Sequence, residues 1–182
     1  MSKNGEKWWK VEIFYIFLHH VPGNPGMITF IGEYTCKVDA KGRIMLPSAF
    51  KKQMPAGTEE RFVIKPDVYE ACLIMYPIQE WERLNRIIRR NTNPFNKEHE
   101  RFLRLYNEGK AELVLDASSR LLIPKRLLDY AQAKKEVLLT GRDGKIDVWS
   151  PSLYRKFREG VTELESLTER ILGGEINDID EE

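Results

Sequence analysis

Apolar and polar positions along the chain follow one pattern twice. A short strand-like run ends at Asp39, the turn D-A-K-G-R follows, and a second apolar run stops at Pro47. The segment from Asp116 to Pro124, D-A-S-S-R-L-L-I-P, repeats this order at a constant offset. Asp opening a turn between two apolar runs is typical of a strand, a tight turn and a second strand.

The similarity extends beyond the two prolines, where each copy predicts a short helix, because Pro suits a helix start. Two strands then follow, over 61–65 and 72–76 in the first copy and over 136–140 and 146–149 in the second. A unit of about forty residues seldom buries enough apolar surface to fold alone. We therefore predict an α+β fold in which the two βαββ-type units form one intertwined body.

Helical spacing predicts further helices between and after the repeats. The first spans 79–90, the second runs from Asn93-Pro94 to Gly109, and the last spans 151–172. For the second, Phe95, Phe102, Leu103, Leu105 and Tyr106 form the predicted apolar face. The predicted domains are an extension (1–26), repeat 1 (31–78), a helical connection (79–109), repeat 2 (110–153), a C-terminal helix (154–174) and an acidic tail (175–182).

The N-terminal segment differs from the rest of the chain. Its apolar run is interrupted by Glu12 and two histidines and is too short for a membrane span, so no membrane association is predicted. Breaker residues at 22–26 precede Met27, which we interpret as the natural or ancestral start.

Charge is unevenly distributed along the chain. The net charge is only +1, yet the acidic tail contrasts with a basic cluster around the first turn. That cluster consists of Lys37, Lys41, Arg43, Lys51 and Lys52. Cys36 and Cys72 lack metal-ligand spacing and are predicted to be buried free thiols.

The residues offer no sign of an enzyme. His19, His20 and His99 have no motif context, and no Ser, Cys or carboxylate pair is placed for activation. No phosphate-binding loop or metal motif is present, so no cofactor is predicted.

The basic turn is the one stretch with recognisable chemistry. It is interpreted either as a solvated hairpin or as a DNA-binding ribbon, a shape that the major groove admits. Arg43 offers a planar fork that matches guanine, and Lys41 offers a point charge for phosphate. Lys37, Lys51 and Lys52 add charge with few opposing carboxylates.

The second turn lacks both the Lys and the Gly of the first. We therefore predict that the first turn holds DNA, with Asp39 and Gly42 shaping it. Gly42 is expected to bring the backbone close to a ligand. Arg120 is expected to pair with a carboxylate in a structural turn with Asp116.

Three segments carry a resemblance to a known family: F-I-G-E-Y-T-C-K-V-D-A-K-G-R-I-M-L-P, N-P-F-N-K-E-H-E-R-F-L-R-L and D-A-S-S-R-L-L-I-P-K-R-L-L. Together they resemble the MraZ family of bacterial transcriptional regulators, which are built from two SpoVT-AbrB repeats. The resemblance implies a swapped-hairpin, AbrB-like β-barrel and a ring-shaped homo-oligomer. It also implies repression through direct promoter repeats of the division and cell-wall gene cluster, including the protein's own gene.

The family pattern D-x-K-G-R assigns DNA contact to Arg43 and Lys41. The resemblance also implies that the protein acts on double-stranded DNA in the cytoplasm, associated with the nucleoid. The alternative is a non-enzymatic protein-interaction or antitoxin-like barrel whose basic turn meets an acidic partner.

Overall fold

The computed structural model describes residues 28–160 and 164–172. Within them lie eight strands and six helices. In chain order they are β1 (Glu33–Lys37), β2 (Arg43–Met45), α1 (Ser48–Gln53), β3 (Arg61–Pro66), β4 (Leu73–Pro77), α2 (Ile78–Arg90), α3 (Lys97–Asn107), β5 (Ala111–Val114), β6 (Arg120–Leu122), α4 (Lys125–Tyr130), β7 (Glu136–Arg142), β8 (Lys145–Trp149), α5 (Pro151–Gly160) and α6 (Leu164–Leu172).

The two repeats exchange strands. The main sheet has the order β1-β7-β8-β4-β3-β5, and β2 pairs with β6 in a separate ribbon. Each repeat's first strand therefore pairs with the third strand of the other repeat, and all pairs are antiparallel. If each strand of repeat 1 is replaced by the equivalent strand of repeat 2, and the reverse, the same strand order is obtained in the opposite direction. The body is thus pseudo-symmetric and its halves are intertwined.

The predicted α+β class is confirmed, but the described strands do not close into a barrel. The six-stranded sheet ends at β1 on one side and at β5 on the other. The ribbon of β2 and β6 lies apart from these edges as a second, two-stranded sheet. Because β1 and β5 each pair with one neighbour only, the sheet remains open.

The main core lies on one face of the sheet. Central strands β4 and β8 are buried along their whole length, whereas edge strand β1 alternates between exposed and half-buried residues. β4 and β8 are therefore covered on both faces, and β1 is covered on one face only. The helices α1 and α4 and the ribbon complete this core through Phe50, Leu127, Ile44 and Leu121.

A second apolar cluster forms where α2 covers part of the opposite sheet face. Trp81 and Leu84 of α2 pack with Val63, Ile74 and Tyr76. From α3, Tyr106 stacks on Trp81 with ring centroids 6.1 Å apart. The Nζ of buried Lys65 lies 4.0 Å from the Tyr106 ring centroid, so a cation–π contact joins the helical connection to the sheet.

The predicted start of α3 was wrong, and its predicted apolar face is covered only in part. Its N-cap is Asn96, whose side chain accepts hydrogen bonds from the amides of Glu98 and His99. Asn93 instead donates its own amide hydrogen to His99 Nδ1. Of the predicted apolar face, Leu103 and Tyr106 are half-buried, whereas Phe102 and Leu105 are exposed. Phe95 is 96% exposed and precedes the helix.

The other predictions about elements and thiols have mixed outcomes. Cys72 is buried, whereas Cys36 is only half-buried, and both thiols are free. Burial raises the pKa of both thiols.

The helix predicted over 151–172 is described as α5 and α6. The predictions for residues 1–26 and for the acidic tail lie outside the described residues. No described helix is long and apolar enough to cross a membrane.

Candidate nucleic-acid interface

The first turn, residues 39–43, is organised by the carboxylate of Asp39. The amides of Lys41 and Arg43 donate to Asp39 Oδ1 at 2.8 and 3.0 Å, and Arg43 Nε donates to Oδ2 at 2.7 Å. Two backbone hydrogen bonds close the turn between Asp39 and Arg43 and between Gly42 and Asp39. The Asp39 side chain therefore fixes both the backbone of the turn and the Nε end of the Arg43 guanidinium.

The hydrogen bonds lower the pKa of Asp39 to about 2, chiefly because the Arg43 amide and then its guanidinium donate to the charged carboxylate. In the second turn, residues 116–120, the pKa of Asp116 is also lowered, first by the Arg120 amide. Both carboxylates are therefore held in the charged, accepting form at neutral pH.

The second turn reproduces this geometry. Asp116 Oδ1 accepts from the amides of Ser118 and Arg120 at 2.8 and 2.9 Å. Arg120 Nε donates to Asp116 Oδ2 at 2.9 Å, which is the carboxylate pairing expected for Arg120. Because Arg43 pairs with Asp39 in the same way, this contact does not distinguish the two arginines.

The ribbon places both arginines on one surface. Arg43 lies opposite Leu122, Ile44 opposite Leu121, and Met45 opposite Arg120. Ile44 and Leu121 are fully buried, and side chains alternate between the two faces of a strand. The outward face therefore carries Arg43, Met45, Arg120 and Leu122, which we call the ribbon face.

Within the described residues, the terminal nitrogens of Arg43 and Arg120 have no protein partner, since each pairs through Nε. The side chain of Arg43 is 30% exposed and that of Arg120 is 35% exposed. Each guanidinium is thus anchored at its base while its outer edge remains available to a ligand.

The backbone of the ribbon itself requires a glycine at position 42. Its φ is +85°, and a Cβ at this position would lie 2.9 Å from the carbonyl oxygen of Ile123. The Gly42 carbonyl also accepts the Ile123 amide at 3.0 Å. Gly42 therefore approaches the chain at Ile123 closely, and its approach to a ligand stays a prediction. Ser119, with φ +57°, holds the matching position in the second turn.

The structure distributes the predicted lysines over both turns. Lys37, Lys41 and Lys52 are exposed on their own repeat. Lys51 instead reaches across to the second turn, where its Nζ donates to Ser119 Oγ at 3.3 Å and pairs with Glu60 at 2.8 Å. This crossing follows from the strand exchange, which places α1 beside the turn of the other repeat.

An open groove of about 800 Å³ runs between β1, the ribbon and the second turn. It brings basic side chains of both repeats together around a partly apolar floor. Its charged lining residues are Lys37, Asp39, Arg43, Lys51 and Arg120. Sequence reasoning missed Met45, Leu122 and the outward position of Arg120. The alternation of R-I-M and R-L-L, aligned through the repeat, contains the signal for all three.

Within residues 28–160 and 164–172, no three His, Cys, Asp or Glu side chains are grouped to hold a metal ion.

The family model "MraZ protein, putative antitoxin-like" matches residues 29–105 and 108–172, which covers both turns and both ribbon strands. The chain belongs to the MraZ family.

Relatives across bacteria extend this similarity. The Transcriptional regulator MraZ of Flavobacterium psychrophilum is 37% identical over 84% of this chain and 96% of its own length. The protein of that name from Christiangramia forsetii is 37% identical over 82% of this chain and 96% of its own length. The one from Moorella thermoacetica is 32% identical over 81% and 99%. The MraZ similarity therefore spans nearly the whole length of these relatives.

Proposed function

We propose that this MraZ-family chain is a transcriptional regulator that binds double-stranded DNA through the ribbon face and the first turn. The observation that carries the proposal is the pair of Asp-anchored arginines on the outward face of a two-stranded ribbon. A ribbon of this kind fits the major groove, where base edges are distinguishable. The names of the relatives support a role in transcription.

Arg43 is the proposed base-reading residue. Asp39 holds its Nε, so the two terminal nitrogens face outward as a fork for guanine O6 and N7. A fork fixed in advance loses less rotamer freedom when it binds. Lys41, Lys37 and Lys52 are exposed and supply charge to phosphates, which positions the ribbon without reading sequence.

Lys51 has a different part in this proposal. Its Nζ is already engaged by Glu60 and Ser119, so it contributes less free charge than the other lysines. It places a cation beside the second turn, which lacks a lysine of its own. The second turn thus presents less free positive charge to the DNA backbone than the first.

Repression is the proposed outcome of binding. The chain binds direct repeats in the promoter of the division and cell-wall gene cluster, which includes its own gene, and it acts in the cytoplasm on the nucleoid. This assignment rests on the family resemblance. The arrangement of the ribbon face supports the DNA-binding step alone.

A ring-shaped homo-oligomer is part of the same proposal. One ribbon offers few phosphate contacts, and each contact steepens the log–log salt dependence of binding by only about 0.9. Several ribbons on one ring bind repeated sites with avidity. Light scattering after size exclusion counts the subunits, and a monomer at micromolar concentration would contradict the ring.

Binding to DNA from the gene's own upstream region tests the proposed function. The full chain is titrated with this DNA and with scrambled DNA of equal length. We expect a clear preference for the upstream DNA, lost in Arg43→Ala and retained in Arg86→Ala, which removes an exposed arginine from α2. Equal binding to both DNAs would favour the alternative, a protein-interaction or antitoxin-like module.

A further inference from the structure

The ribbon face carries two apolar side chains that the proposed phosphate and guanine contacts do not use. Met45 is 60% exposed and Leu122 is 54% exposed. Isolated exposed apolar residues are ordinary. These two, however, stand on the same small face as the anchored arginines, and their inward neighbours Ile44 and Leu121 already supply the core.

The register fixes how the four side chains are arranged. Arg43 faces Leu122 across the ribbon, and Met45 faces Arg120. The amides of Leu46 and Ile123 donate to the carbonyls of Ser119 and Gly42 just outside these pairs. The antiparallel pattern then makes the two outward pairs non-hydrogen-bonded, the kind in which opposite side chains lie closest. Each arginine therefore has an apolar side chain directly beside it.

This spacing matches the spacing of bases. Diagonal positions on an antiparallel pair lie about 7–8 Å apart, and successive bases on a strand are about 3.4 Å apart. The two arginines thus span about two base steps, with an apolar side chain next to each. In the major groove the one apolar group on a base edge is the C5 methyl of thymine.

We infer that Met45 and Leu122 read thymine methyl groups next to the guanines contacted from the ribbon. The inference rests on the proposed DNA binding and adds a specificity element to it. It predicts that preferred sites contain thymine within two base steps of guanine. Removal of a buried methyl weakens binding about fourfold, on the scale of one buried CH₂ group.

Deoxyuridine provides a direct test, because it differs from thymidine only by the missing methyl. Each thymidine in the DNA segment that the full chain protects is replaced singly, and the dissociation constant is measured for each duplex. For the unaltered chain we expect about fourfold weaker binding at two positions or more. The same scan is then run with Met45→Ala and with Leu122→Ala.

Each variant is expected to become indifferent to the methyl at one position while keeping its response at the other. Val68→Ala is the matched control, since Val68 is 63% exposed and lies in the β3–β4 turn outside the ribbon. Specific binding without any uridine effect would overturn the inference and leave the proposed function standing. Variants that keep the full response would overturn it too. Absence of specific binding by the unaltered chain would contradict both the inference and the proposed function.

Discussion

The first and second turns share a backbone and differ in their charges. In both, an Asp accepts two backbone amides and the arginine Nε, and a residue with positive φ closes the ribbon. The first turn adds Lys41, where the second has Ser118. At the positions equivalent to Lys37, Lys51 and Lys52, the second repeat has Val114, Leu128 and Asp129. The Asp and the Arg that hold the turn recur in both repeats, whereas the lysines occur in the first repeat only.

The comparison also shows that the repeats are not independent sites. Lys51 of repeat 1 lies at the second turn, and Leu128 of repeat 2 lies beside Gly42 of the first. Each turn is therefore completed by the helix of the other repeat. The second turn receives Lys51, whose Nζ is already paired with Glu60, and the first receives an apolar neighbour.

The largest expected effect separates the two arginines. Arg43→Ala should weaken specific DNA binding by about 5- to 150-fold per engaged site, the value of a bidentate guanine contact. Arg120→Ala should weaken it less, because Ser118 supplies no neighbouring charge. Since both arginines pair with their Asp in the same way, both variants should lose a similar, small amount of stability. Titration with upstream DNA and thermal melting measure the two effects.

Equal loss of binding in these two variants would mean that the turns share the DNA surface equally. A large drop in melting temperature for Arg120→Ala alone would restore the purely structural role predicted for it from the sequence.

A second difference concerns the residues with positive φ. Gly42→Ala should destabilise the fold by roughly 1–3 kcal/mol, because the new Cβ meets the Ile123 carbonyl in an unfavourable backbone region. Ser119→Ala is the matched control, since Ser119 already carries a Cβ at φ +57°. Urea unfolding compares them. If the two variants had the same urea midpoint, Gly42 would not be required by the ribbon.

Substitutions can exchange Lys41 of the first turn and Ser118 of the second turn. Lys41→Ser should lower the log–log salt slope of DNA binding by about 0.9 for each engaged subunit, and Ser118→Lys should raise it by a similar amount. The ratio of affinities for upstream and scrambled DNA should change little, because phosphate contacts carry no sequence information. A changed ratio would assign base contact to these positions.

The smallest expected effect is a pH dependence of stability. The pKa of Asp39 is lowered from 3.8 to about 2 in the fold, so its contribution is present above pH 3.8 and is lost as the pH falls toward 2. Asp39→Asn should flatten this acid limb of the stability curve. Asp116→Asn should act in the same direction, because its pKa is also lowered. Denaturant midpoints at a series of pH values provide the measurement, and an unchanged acid limb in both variants would contradict it.

The sequence was sufficient to predict the repeated strands and turns, because these depend on local signals. Alternating apolar positions, the Asp-opened turns and Pro47 and Pro124 all act within a few residues. The same holds for α2, whose apolar spacing matches the buried Trp81 and Leu84. Strand exchange is a long-range property, so the position of Lys51 beside the second turn could not be predicted.

The errors have similar causes. The apolar face predicted for α3 is covered only in part, because an amphipathic pattern does not say what packs on it. Tyr106 stacks on Trp81, whereas Phe102 and Leu105 are exposed. The swapped-hairpin β-barrel implied by the family resemblance is not confirmed, since the described strands leave the sheet open. For Gly42, a positive φ signals close approach without naming the partner; the described partner is Ile123, and approach to a ligand stays a prediction. The assignment of DNA contact to Arg43, Lys41, Lys37, Lys51 and Lys52 stays a prediction.

The most direct test of DNA reading by Arg43 replaces single guanines in the protected segment by 7-deazaguanine, which removes the N7 acceptor. The unaltered chain should bind at least one of these duplexes more weakly, by about 5-fold or more. Arg43→Ala should bind the modified and unmodified duplexes equally, while Arg86→Ala should behave like the unaltered chain. Specific binding that is insensitive to every 7-deazaguanine, or that stays sensitive in Arg43→Ala, would contradict the account.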